Sequence, residues 1–454
     1  MNLEQLRKQA KELVRAARAG DADALARLDG REPILARAQL VVAREHGYAS
    51  WPALVVAVEA SAETFVLAAT NGQRTRAEAL LAARAEIADD PWARLVLGRG
   101  WDGDPVAPGG PRGWAPLLYV CHTCWPSASL AGELLARGAD PNAGFENEYG
   151  RMSALYGAAG VAHDPELTRV LLEAGADPDD GESVYHATEA GSTECLRLLL
   201  EHGATVQGTN ALAHALDHDA LDHVRLLLEA GARTDDAAYL VHAVRRGRGV
   251  EFLTLLVEHG ADLDRPGGET WRGDVPLRTA YQHAVLRGRD DVAEYLAGLG
   301  ASTEVADGDR AIGEVARGPR PAARLPAQLD PDAQEVLVLT ALWRDLELVL
   351  DLVGPDFVGV VGGSPPGALA HMAAYVGQAA TVRTLLERGA DANVVLGFGT
   401  PLASAVEGSR YHALPGRDYV AVAELLVAAG NPVEARFLDT ADGPLVAWLE
   451  ERLG

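Results

Sequence analysis

The stretch Leu134-Leu135-Ala136-Arg137-Gly138-Ala139-Asp140-Pro141-Asn142 decides the fold, because variants of it return along the chain. They stand at Leu171 to Asp177, Leu199 to Ala204, Leu227 to Ala232, Leu256 to Asp262, Leu296 to Ala301, Leu385 to Asp391 and Leu425 to Gly430. The grammar has a physical meaning. Paired leucines close an amphipathic helix, Gly takes the left-handed conformation that ends it, and Ala is small enough for the chain to turn beneath. The Asp, with the Asn or Asp after it, serves backbone donors in the turn. The glycines at 138, 175, 203, 231, 260, 300, 389 and 430 are separated by steps of 37, 28, 28, 29, 40, 89 and 41 residues. Periods of ~20–50 residues mean stacked repeats.

A period near ~33 carrying this turn resembles the ankyrin repeat. The first half of such a repeat survives at Trp114-Ala115-Pro116-Leu117-Leu118, Val275-Pro276-Leu277 and Thr400-Pro401-Leu402, where Thr or its substitute caps an inner helix and Pro takes the first turn. The resemblance covers roughly residues 61–437. It implies an all-α ankyrin-repeat solenoid of helix-turn-helix units, about nine to ten of them, with helical caps. The steps of 28 and 29 residues lack the protruding β-turn finger, so that section should be nearly bare helical hairpins.

Residues 1–60 are expected to form an N-terminal helical cap: an amphipathic helix over 3–19, a short one capped by Asp21, a third over 33–46 closed by Gly47, and a fourth opened by Ser50-Trp51-Pro52. The segment Ala43 to Leu54 is similar to one found ahead of bacterial ankyrin arrays, and this resemblance implies a bacterial origin. The array over 61–437 should be helical throughout, without a central sheet. It carries loop insertions at 98–113, 265–275, 354–367 and 407–417, the first bracketed by Trp101 and Trp114 and the second holding Trp271. Residues 301–330 show prolines and no strong apolar period, while Glu335 to Val353 supplies the helices of a degenerate repeat. Residues 438–454 close the chain with a capping helix facing inward through Leu445, Trp448 and Leu449.

A formal net charge of −25 argues against a general nucleic-acid binder, since phosphate affinity comes from Lys and Arg, and it favours partners with a basic surface. The sequence has no apolar run of about 18 residues and begins with a polar segment, so neither a membrane span nor a signal peptide is expected. Three cysteines give no disulfide framework, which fits a reducing, cytoplasmic setting. Cys121-His122-Thr123-Cys124 has half of a zinc-site spacing. No second half lies nearby, and the repeat pattern puts Cys121 in a small buried position, so no metal and no cofactor are expected.

Alignment to the repeat also implies which residues face the concave side. They are Trp114, His122, Thr123, Arg151, Glu189, Asp217, His218, Arg245, Arg246, Arg287, Tyr375 and Glu407, joined by Trp101 on the loop. Aromatics mixed with both charges resemble a recognition surface. His371 matches the position that donates to backbone in the adjacent turn; His186, His214, His242 and His283 fall one position later and read as histidines satisfied within the stack. No phosphate loop, nucleophile elbow, HExxH or dinucleotide motif occurs, and no catalytic residue is named. The resemblance therefore implies a monomeric scaffold that binds another protein through groove and loops. The alternative is a small-molecule or catalytic pocket under loop 98–113 near Trp114 and His122.

Overall fold

The computed structural model describes residues 2–453 except 236, 269–275, 362–366, 398, 412–413, 435–436 and 438–439. It is 57% helix and 4% strand, which leaves strands only the role of local ribbons. Two antiparallel pairs are present among the described residues: Gly144–Asn147 with Gly150–Ser153, and Val358–Gly359 with Gly367–Ala368. The chain forms two compact units, one of residues 1–5 and 43–262, the other of 6–42 and 263–454. No single helix among the described residues is long and apolar enough to cross a membrane.

The repeated turn has the geometry its residues dictate. All eight glycines lie at φ between 89° and 101°, where a Cβ is strained. In each turn the N–H of the residue after the glycine bonds back to the leucine carbonyl five residues earlier, from Ala139 on Leu134 at 3.0 Å to Asn431 on Leu426 at 3.0 Å. These six-residue closures satisfy helix-terminal carbonyls that would otherwise be orphaned. The polar residues after them join neighbouring repeats. Asn142 donates to the Gly175 carbonyl at 3.2 Å and accepts from the Asp177 N–H at 2.7 Å, and Asp179 accepts from the Thr205 N–H at 2.6 Å.

In the first unit, helix pairs follow from Ala62–Thr70 and Arg74–Ala83 to Tyr239–Arg245 and Val250–Glu258. Helix Pro91–Val96, capped by Asp90, leads into the Gly- and Pro-rich loop, after which Pro116–Cys121 is buried along its whole length. The turn of helix Ala154–Tyr156 widens into a π-turn over Gly157–Val161. The Gly144 to Ser153 ribbon departs from the expectation of helix throughout. It occupies the extra residues of the 37-residue step between Gly138 and Gly175.

The second unit revises three sequence boundaries. Residues 301–330, which show no strong apolar period in sequence, hold helix Asp307–Arg317, which buries Ala311, Ile312, Val315 and Ala316 and ends at Gly318 with φ 108°. Its stripe is built partly of alanines, which makes it faint in sequence, and the prolines follow it. The inner helix expected at Val275-Pro276-Leu277 begins instead at Ala280, where Thr279 and Gln282 form a capping box and Leu277 stays exposed. Val275 and Trp271 lie outside the described residues. The last insertion is shorter than 407–417, because helix Pro401–Tyr411 runs on through Glu407, with Gly408 packed on the Tyr375 backbone. Helices Pro331–Trp343 and Leu346–Val353 form the degenerate repeat, and helix Pro444–Leu453 buries Leu445, Trp448 and Leu449. Buried Arg278 donates to Asp309 at 2.8 and 2.9 Å and to Asp330 at 2.7 Å, tying the start of helix Ala280–Leu286 to helix Asp307–Arg317 and to the cap of helix Pro331–Trp343.

Candidate functional site

A run of aromatic and imidazole rings crosses the first unit. Trp101 meets Trp92 at 4.5 Å between centroids, Trp92 meets Tyr119 at 4.9 Å, and Tyr119 meets Trp114 at 5.4 Å. Trp114 stacks on Phe145 of the ribbon at 4.1 Å, and both contact His122. The run continues through Tyr156, His186 and His214 to His218, with Tyr185 stacked on His214 at 3.7 Å. Glycines admit these rings. A Cβ at Gly157 would stand 2.8 Å from the His122 ring and 2.9 Å from the Cys121 carbonyl, and one at Gly160 would strike Tyr156 and His186.

Between the loop and the ribbon lies a cleft of about 540 Å³, walled by Pro105, Val106, Trp114, Phe145, Asp140 and Arg151 among others. Its walls are mostly apolar, with Asp140, Asn142 and Arg151 as polar residues. Val106 is 51% exposed, and Tyr149 at the ribbon tip 80%, so loop and ribbon present large apolar groups to solvent. The loop is held from below. Arg137 donates to the Trp101 carbonyl at 2.6 Å and to Gly103, Trp101 Nε1 donates to the Asp104 carbonyl at 3.1 Å, and Tyr119 donates to Gly109 at 2.9 Å while accepting from the Arg112 N–H at 2.8 Å.

The residues singled out in the sequence divide by environment. Trp101 and Trp114 are half-buried, with Arg112 over the Trp114 ring at 5.1 Å. His122 is buried and donates from Nε2 to the Ser153 carbonyl at 2.7 Å; burial pushes its pKa down to about 4. Thr123 is buried too, donating to Val96 at 3.0 Å. Both therefore face inward and pin helix ends. Arg151 is exposed and donates to the Asn142 carbonyl. Glu189 accepts from His186 Nδ1 at 2.7 Å. Asp217 receives His242 Nε2 at 2.7 Å and Arg246 Nε at 2.6 Å, with His218 exposed beside it and Arg245 half-buried. Burial lowers the His242 and His214 pKa values.

In the second unit, Arg287 pairs with Glu335 at 2.8 Å, both side chains about nine-tenths buried. Tyr375 is half-buried, its phenol pKa raised by burial and then by Glu407. His371 donates to the Gly399 carbonyl at 3.0 Å, as its place in the repeat implied. Cys121 is buried, which pushes its thiol pKa up, and Cys124 donates to the Ala69 carbonyl at 3.2 Å. Phe145, Tyr149, Tyr156 and Tyr185 escaped the sequence reading. The one available signal for the first two was Asn147-Glu148-Tyr149-Gly150, a polar turn inside an overlong step.

Residues 155–238 match the family described as Ankyrin repeats (3 copies). This segment of the chain carries ankyrin repeats. Among solved structures it is similar to the ankyrin repeat domain of Bcl-3, described as a unique member of the IkappaB protein family, at 26% identity, covering 39% of this chain and 82% of that one, with a TM-score of 0.31. An ankyrin repeat domain from Acinetobacter baumannii AYE is similar at 25% identity over 38% and 93%, TM-score 0.33. The human ASB11 ankyrin repeat domain is similar at 19% identity over 62% and 99%, TM-score 0.28. No curated protein matches the chain. Ankyrin repeats generally serve as protein–protein interaction modules.

Proposed function

We propose that the chain binds a partner protein on its first unit, where loop 98–113 faces the ribbon, and that the bound segment carries an apolar side chain flanked by Lys or Arg. The observation that carries this reading is the cleft itself, with Val106, Trp114 and Phe145 in its walls, Tyr149 exposed nearby and Asp140 at hand. Aromatic groups held on a braced framework lose little entropy on binding and supply most of the energy at protein interfaces. The net charge of −25 favours a basic partner by steering its approach. The cleft walls lack an acid–base pair, since His122 is not among them, and this weighs against a catalytic pocket there.

The test uses the full-length chain as bait for a displayed library of random peptides. Peptides combining Lys or Arg with an aromatic or branched residue are expected to emerge. Their affinity should fall at least ~10-fold in Tyr149→Ala and Val106→Glu with melting temperatures unchanged, the loss typical of interface anchors. Selected peptides that bind both variants as tightly as the parent would overturn the reading.

A further inference from the structure

Helix Ala211–Asp217 and the short 3-10 turn Ala187–Glu189 of the preceding repeat bring together Glu189, His214 and His218. One carboxylate oxygen and one nitrogen from each imidazole all lie within 4.8 Å of one another. Neighbours fix where the His214 hydrogen sits. The Thr188 hydroxyl donates to the Tyr185 carbonyl at 2.7 Å, so its oxygen is left to accept from His214 Nδ1–H at 2.9 Å, and that same N–H reaches the Tyr185 carbonyl at 3.1 Å. With the hydrogen on Nδ1, Nε2 of the neutral ring is a bare lone pair, and it faces Glu189 Oε1 at 3.5 Å.

A lone pair aimed at a carboxylate repels it unless positive charge lies between them. A proton would serve that one pair, but it would give no role to His218, whose ring stands 4.6 Å from His214 and brings a third donor to the same point. A metal ion uses all three. The surroundings are also those of a metal-bound imidazole, whose second nitrogen donates to a backbone carbonyl and so keeps the ring's orientation. The same Glu189 Oε1 also accepts from His186 Nδ1 at 2.7 Å, which fixes the carboxylate in place, and His186 Nε2 lies 3.3 Å from Glu182. We infer that Glu189, His214 and His218 bind a divalent transition-metal ion of the zinc type. Two imidazoles and a carboxylate are the borderline donors such ions take, whereas calcium and magnesium prefer oxygen alone. Three protein ligands leave a fourth position for water.

The inference is independent of partner binding at the cleft and is tested on the full-length chain stripped with a chelator. Titration with Co²⁺, followed by visible absorption, should saturate at one ion per chain, and Zn²⁺ should displace the cobalt signal. His218→Ala, at an exposed position, and the isosteric Glu189→Gln should each weaken zinc binding at least ~10-fold, while His259→Ala leaves it unchanged. Melting curves in chelator establish that each variant is folded. Should either variant fail to fold, imidazole proton spectra of the parent chain decide instead, because bound Co²⁺ must shift or broaden the signals of these two histidines. Absence of saturable binding, equal affinity in the two variants and the parent, or undisturbed imidazole signals would each overturn the site.

Discussion

His122 shows how far a side chain's role depends on what stands above it. The repeat pattern put it on the concave face, yet Trp114 and Phe145 cover it, and only the three-dimensional arrangement of loop and ribbon supplies those rings. Its folded-state pKa of about 4 lies below the ordinary 6.5, so between those values the unfolded chain binds a proton that the native chain refuses. Stability contributed by neutral His122 is thus complete above about pH 6.5, is lost as the pH falls toward 4, and declines no further below that; the whole effect is roughly 3 kcal/mol. Thermal melts from pH 7 to 4 should show a steeper fall for the parent than for His122→Gln. Parallel curves would place the titration elsewhere. His371, by contrast, was legible from its place in the repeat, because its partner is a backbone carbonyl that every well-formed repeat provides.

Elements that repeat were legible and elements that interrupt were not. The eight glycine turns could be numbered from the sequence because each is a local device, complete within six residues. The ribbon Gly144 to Ser153 has too few apolar residues to show a period, and helix Asp307–Arg317 hides its buried face partly in alanines. The π-turn Gly157–Val161 had no sequence signal beyond its glycines. Its consequence can be measured. Gly157→Ala would force a methyl against both the His122 ring and the Cys121 carbonyl, and since the carbonyl belongs to a buried helix, relief requires the backbone to move. A loss of about 1–3 kcal/mol is expected from such overpacking. Gly191→Ala, with nothing within 4 Å of the added carbon and no left-handed backbone, should leave the melting temperature almost unchanged. Equal behaviour of the two variants would contradict the packing described.

At the scale of the whole molecule the sequence was most informative about charge and period. A chain of net charge −25 attracts cationic segments before contact, and salt screens that attraction with a Debye length of ~10 Å at 0.1 M. The association rate of the library-selected basic peptides should therefore fall as ionic strength rises, with a smaller change in dissociation rate, when followed by surface plasmon resonance. An association rate indifferent to salt would remove charge from the recognition. The candidate site was legible in part: Trp114 and Arg151 stand out by residue type, but their meeting with Val106 and Phe145 in the cleft walls arises from loop and ribbon meeting in space.

The run of rings also bears on how such a chain changes length over evolutionary time. Repeat arrays grow and shrink by duplication or deletion of whole units. His186, His214 and His242 recur at the same 28-residue interval, so removing one unit there brings an equivalent imidazole to the vacated rung. Trp114, His122 and Tyr156 have no such substitutes, because the loop, the ribbon and the π-turn that seat them each occur once in the described part of this unit. The row His186, His214 and His242 can thus lose a rung and keep its imidazoles, at the cost of the Glu189–His214–His218 cluster because Arg246 would replace His218, while the tryptophan end is inherited as one indivisible piece.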